Sequence, residues 1–124
     1  MARTHTRPEA PPIYRLKADL FRLLGHPARV RILELLRDGE RSVGDLQAEL
    51  GLDSSGTSQH LTAMHRQGLL ERRRDGTSVY YRVADPRVFQ LLAIARQLLA
   101  AQLEATRELL GDLAEQPDEP HAAA

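Results

Sequence analysis

Apolar residues recur three and four positions apart from Ile13 through Leu16, Leu20, Leu23 and Leu24, and this spacing predicts an amphipathic helix beginning after Pro12. Pro27 fits the first turn of a second helix, which Val30, Ile32, Leu33, Leu35 and Leu36 carry to about Asp38-Gly39. Ser42-Val43-Gly44-Asp45 has the form of a capping box, and the apolar stripe Val43, Leu46, Leu50 predicts a short third helix ending at Gly51. A fourth helix follows at once. Asp53 or Ser54 can cap its start, and Gly68 can take the left-handed conformation that ends it. On this helix Thr57, Leu61 and Met64 share one face, which leaves Ser55, Ser58, Gln59 and Thr62 outward as hydrogen-bond donors and acceptors. Such a face is suited to reading the edges of another molecule.

The third and fourth helices, joined through Gly51-Leu52-Asp53, have the spacing of a helix-turn-helix, whose second helix enters the major groove of DNA. Directly after it, Leu69 to Arg74 and Thr77 to Val83 flank Asp75-Gly76, a dipeptide suited to a type I′ hairpin turn. That turn sets Leu70 opposite Tyr81 and Arg72 opposite Val79, giving a ribbon with an apolar base and a cationic tip. A last helix begins near Pro86 and runs beyond Leu103, with Val88, Leu91, Leu92, Ala95, Leu98, Leu99 and Leu103 forming a broad stripe. So long a stripe outside a compact domain needs a partner surface, which either the chain's own core or a second copy of the chain can supply. The predicted fold is mainly α with a β-hairpin wing. It is a winged helix-turn-helix in the order α-α-α-α-β-β-α, dimerising through its first and last helices.

The run Leu24-Gly25-His26-Pro27-Ala28-Arg29-Val30-Arg31-Ile32-Leu33-Glu34-Leu35-Leu36, the helix-turn-helix, Gly68-Leu69-Leu70-Glu71-Arg72-Arg73-Arg74-Asp75-Gly76 and Tyr80-Tyr81 together resemble the ArsR–SmtB family of bacterial winged-helix repressors. The resemblance runs from about Leu16 to about Leu99. It implies a homodimeric repressor of transcription on a palindromic double-stranded DNA operator. In metal-sensing members of that family a Cys-Val-Cys-Asp-Leu stretch opens the first helix of the helix-turn-helix. Here Ser42 and Gly44 stand where those cysteines would be, so thiolate capture of a soft metal is not available. The family's other common site uses Asp and His on the last helix, and residues 86–111 contain no histidine. His60 and His65, five residues apart, lie about 140° around a helix and cannot chelate one ion as an i, i+4 pair could. His60 is expected to face DNA and His65 the hairpin, while His26 is a loop histidine with a local hydrogen bond.

Composition changes this picture little. The chain has 124 residues, 42% hydrophobic and 27% charged, which suits one globular domain with a modest core. A formal net charge of zero argues at first against nucleic acid, yet the charges are unevenly placed. Arg66, Arg72, Arg73, Arg74 and Arg82 outweigh Glu71 and Asp75 in the helix-and-wing region, whereas the chain after Leu103 is acidic. That asymmetry presents one basic face to DNA. The absence of cysteine removes disulfides and thiol switches, and no window has the length or apolarity of a membrane span or signal peptide. A cytoplasmic protein is expected.

Three domains of behaviour follow: a disordered arm over residues 1–12, the winged helix-turn-helix and dimerisation domain over 13–111, and a disordered acidic tail over 112–124. Ser55, Ser58, Gln59 and His60 are the expected base-edge contacts; Ser54, Arg66, Arg72, Arg73, Arg74 and Thr77 are the expected phosphate contacts. Leu16, Leu20, Leu91, Leu98 and Leu99 are the expected dimer surface. No catalytic residue, metal site or cofactor is expected, and the sequence identifies no effector. There is no glycine-rich phosphate loop, and no Ser, His and Asp cluster that the helix-turn-helix leaves over. Two other readings use the same fold: a protein-interaction module without specific DNA binding, and a metal-responsive repressor with an unrecognised ligand set. Three consecutive arginines before a hairpin turn count against the first.

Overall fold

A computed structural model of the chain describes residues 10–115, and the chain divides after Asp85 into two compact units. The first unit holds α1 (Ile13–Leu24), α2 (Pro27–Leu35), β1 (Arg41–Ser42), α3 (Val43–Leu50), α4 (Ser54–Arg66), β2 (Leu70–Asp75) and β3 (Ser78–Val83). One 3-10 turn, Leu36–Asp38, prolongs α2 to the boundary that its apolar spacing predicts. The second unit is one helix, α5 (Arg87–Glu115).

Local chemistry sets these boundaries. His26 Nδ1 accepts from the Ala28 N–H at 3.1 Å to cap α2, with Pro27 in the first turn, where its missing N–H is not needed. Ser42 Oγ accepts from the Asp45 N–H at 3.1 Å and caps α3. Ile32 and Leu33 from α2, Leu46 from α3, and Leu61 and Met64 from α4 are almost fully buried, and Leu70 and Tyr81 close the core from the sheet. Each such side chain contributes about 1.5–3 kcal/mol relative to exposure, which is how three short helices hold together.

The sheet departs from expectation in two ways. It has three strands in the order β1-β3-β2, because Arg41 and Ser42 pair with Tyr81 and Tyr80; two residues are too few to leave a periodic signal. The hairpin register also differs: Leu70 faces Val83, Arg72 faces Tyr81 and Arg74 faces Val79. Asp75 therefore pairs with Ser78, and the two-residue turn is Gly76-Thr77. A type I′ turn on Asp75-Gly76 would force Asp75 to positive φ, whereas every positive φ among the described residues belongs to glycine. With Gly76 first in the turn at φ 60°, one glycine meets the demand of a II′ turn.

The last helix also outruns its expected end. Predicted to give way to a tail at residue 112, α5 continues through Gly111 and Asp112 to Glu115. Leu109, Leu110 and Leu113 keep the helical spacing, and one interior glycine costs only about 1 kcal/mol. The arm over residues 1–9 and the tail over 116–124 lie outside the described residues. No described helix is long and apolar enough to cross a membrane.

Candidate nucleic-acid interface

The helix that carries the polar face is fixed at both ends. Asp53 Oδ1 accepts from the Gly56 N–H at 2.7 Å, so of the two predicted caps it is Asp53 that starts α4. At the other end the Leu69 N–H reaches the Met64 carbonyl at 2.9 Å and the Gly68 N–H reaches the His65 carbonyl at 3.0 Å. This is a Schellman motif, with Gly68 at φ 80° and the buried Leu69 completing it. The chain leaves α4 directly into the wing.

Thr57, Leu61 and Met64 are buried on the inner face of α4, as their spacing requires. Ser54, Ser55, Ser58, Gln59 and Arg66 are exposed. Ser55, Ser58, Gln59 and Arg66, with Thr62 and Ala63, line an open depression of about 390 Å³ along that helix. The expected base-reading set is thus brought together with one exception. His60 is half-buried against the start of α2: its Nδ1 accepts from Arg29 Nε at 3.1 Å and its ring centroid lies 4.2 Å from that of His26. His65 turns to the hairpin, its ring edge-on to Tyr81 at 6.3 Å.

Strand alternation divides the three wing arginines. Arg72 and Arg74 share a face with the buried Leu70, while Glu71 and Arg73 share the other, and both Arg72 and Arg74 are exposed. Arg73 is engaged within the fold. Its Nε and Nη2 donate to the two Glu40 carboxylate oxygens at 3.2 and 2.6 Å, and its guanidinium lies 4.5 Å over the Tyr80 ring. The Arg73 hydrogen bonds hold the Glu40 carboxyl below its usual range and raise Arg73 in return. Arg82 pairs with Glu71 across the strands. The tip therefore presents Arg72, Arg74 and the exposed Thr77, whereas Arg73 fastens the wing to the loop before β1. Among the described residues no group of three or more His, Asp or Glu side chains is placed to hold a metal ion.

Comparison with known proteins falls on this same region. Residues 26–72, from the α2 cap into the wing, match the family described as bacterial regulatory protein, arsR family. An uncharacterised HTH-type transcriptional regulator of Mycobacterium tuberculosis, Rv0081, is 47% identical over 106 residues, covering 85% of this chain and 93% of its own. The chain belongs to the ArsR family. The crystal structure of that relative aligns with a TM-score of 0.71 over 78% of this chain and 98% of its own. A Mycobacterium bovis protein, solved as a homodimeric winged helix-turn-helix DNA-binding domain, is 33% identical with a TM-score of 0.67, over 75% of this chain and 86% of its own. A biofilm growth-associated repressor of Xylella fastidiosa is 32% identical over 68% of this chain and 75% of its own. The protein is accordingly a winged helix-turn-helix transcriptional regulator of the ArsR family.

Two residues at the site, Glu40 and Arg29, carry no sequence signal for their roles. Glu40 meets Arg73 across 33 positions, and Arg29 meets His60 across 31. His26 makes the local hydrogen bond expected of it, and its ring also lies tilted against that of His60. Periodicity reports neighbours three or four positions apart and is silent on such pairs.

Proposed function

We propose that this ArsR-family protein acts in the cytoplasm as a homodimeric repressor that binds a palindromic DNA operator, with α4 in the major groove and the β2–β3 wing along the flanking backbone. The observation that carries this reading is the exposed polar face of α4, capped by Asp53 at one end and held by the Gly68 motif at the other. Ser55, Ser58 and Gln59 contact base edges, and Gln59 is the strongest of them because its amide can pair bidentately with adenine. Ser54, Arg66, Arg72, Arg74 and Thr77 contact phosphates and set the register. Arg73 supports the wing from behind. The protein works by binding, with no catalytic step.

The dimer reading rests on exposed apolar surface. On α1, Leu16 is 50% exposed and Leu20 38%; on α5, Leu98 and Leu99 are 62% and 59% exposed, and Leu91 is half-buried. Leu103, Leu109, Leu110 and Leu113 extend the exposed face of α5 by about four further turns. Intersubunit packing of such helices is the usual way to cover them, and the M. bovis relative is described as a homodimer.

Fluorescence anisotropy with a labelled random-sequence duplex tests whether DNA is the partner at all. Binding at low salt that weakens by orders of magnitude at high salt is the expected result, since several phosphates are neutralised. No binding at low salt would overturn the reading and leave the fold as a protein-interaction module.

A further inference from the structure

Arg29 stands where three helices meet. Its Nε donates to His60 Nδ1 on α4 at 3.1 Å, and its Nη1 donates to the Leu23 carbonyl in the last turn of α1 at 3.2 Å. The second bond satisfies one of the carbonyls that a helix end leaves without a partner. His26 completes the group from the α2 cap, its ring tilted 47° against that of His60. A nitrogen that accepts a hydrogen bond carries no proton, so His60 is held as the neutral tautomer with its proton on Nε2.

We propose that His60 is a positioning residue: its hydrogen bond from Arg29 fixes the rotation of the recognition helix about its axis and ties that helix to the end of α1, and protonation of His60 releases the tie. The inference rests on the assignment of α4 as the DNA-reading helix. Rotation matters because a side-chain tip about 6 Å from the helix axis moves about 2 Å for a turn of about 20°, which is more than a hydrogen bond tolerates. Gln59 adjoins His60 in sequence and Ser58 lies one residue further, so a loosened His60 misaims the residues that read bases.

The release follows from simple chemistry. A protonated His60 would point an Nδ1–H at the Arg29 Nε–H, donor against donor and cation against cation. The groups that act on its charge are His26 and Arg29, and both oppose the proton. Half-burial opposes it first, and together the three hold His60 below the ordinary histidine range. The tie is therefore intact above that lowered value and lost as pH falls through it. Because Arg29 also holds α1, whose exposed leucines are assigned to the subunit contact, the same guanidinium links the dimer surface to the reading helix.

Two measurements on the full chain decide the matter. Long-range proton–nitrogen NMR spectra without DNA, near neutral pH, should show His60 with a bare Nδ1 and a protonated Nε2, and Arg29→Ala should shift both nitrogens. The opposite tautomer, or no response to Arg29→Ala, overturns the tie. The second measurement is the ratio of affinities for a duplex selected by the unaltered protein from a random library and for a scrambled version of it. That ratio should fall about tenfold from about pH 8 to about pH 5, the scale of one lost hydrogen bond to a charged group. His60→Ala should give the low ratio at every pH. His60→Asn should keep the high ratio throughout, because its amide oxygen can replace Nδ1 as acceptor and does not titrate. A His60→Ala protein that retains the full ratio, or a His60→Asn protein that titrates like the unaltered one, contradicts the proposal. If the unaltered protein fails to distinguish the two duplexes, the DNA-reading assignment has failed instead, and the spectra alone decide whether the tie exists.

Discussion

Of three neighbouring arginines, Arg72 and Arg74 are free of the Glu40 contact and exposed while Arg73 is paired with Glu40, and strand alternation explains the division. Arg74 is exposed beside the turn, so Arg74→Ala should reduce the slope of log affinity against log salt by about one unit. Arg73→Ala should change that slope little, because its guanidinium is already paired with Glu40. A salt titration of both variants on one duplex separates them, and equal slopes would reject the division. The Glu40–Arg73 pair also carries a pH signature. Glu40 lies below its ordinary value of 4.5 in the folded protein, so its contribution to stability is present above that value and lost as pH falls through the lower, folded one. Melting temperature should therefore decline in acid more steeply for the unaltered protein than for Glu40→Gln. At Thr57 the expectation is reversed in sign. This residue is wholly buried and its Oγ1 has no hydrogen-bond partner, so Thr57→Val should stabilise the fold by about 1 kcal/mol in denaturant unfolding. A loss of stability would mean that the hydroxyl has a partner in solution.

At the scale of elements, capping and periodicity made most of the fold legible. Ser42, Asp53 and Gly68 stand at the helix ends that their chemistry demands, and Thr57, Leu61 and Met64 occupy the face that their spacing assigns. Gly68→Ala should cost about 1–2 kcal/mol, because the Schellman motif places that residue at positive φ, and urea unfolding measures it. Most of what remained hidden was set by contacts far apart in sequence. The β1 pairing, the Glu40–Arg73 bond and the Arg29–His60 bond all depend on which segments meet in three dimensions, whereas the one-residue displacement of the hairpin turn is local and follows from the positive φ that only Gly76 accepts. The candidate interface was accordingly legible as a helix face and a basic ribbon, whereas the arginine and histidine that serve the fold within it were not. The full extent of α5 is masked for a local reason: acidic residues around Gly111 resemble a tail, yet Leu109, Leu110 and Leu113 continue the helical stripe.

For the whole molecule the decisive quantity is the number of copies on the DNA. A formal net charge of zero gives no general attraction to nucleic acid, so on the proposed reading affinity comes from the exposed cations of α4 and the wing, doubled by two-fold symmetry. Leu98→Glu or Leu99→Glu should yield monomers that retain most of their helical circular dichroism and lose DNA affinity steeply, which sedimentation and anisotropy together would show. A variant that remains dimeric would move the subunit contact elsewhere. The account as a whole is tested most directly by selecting duplexes from a random library with the unaltered protein and sequencing the survivors. It predicts an inverted repeat whose half-site centres lie roughly 34 Å apart, one helical turn, because two α4 helices related by a two-fold axis enter successive major grooves. A lone half-site without symmetry, or no enriched sequence at all, would contradict it.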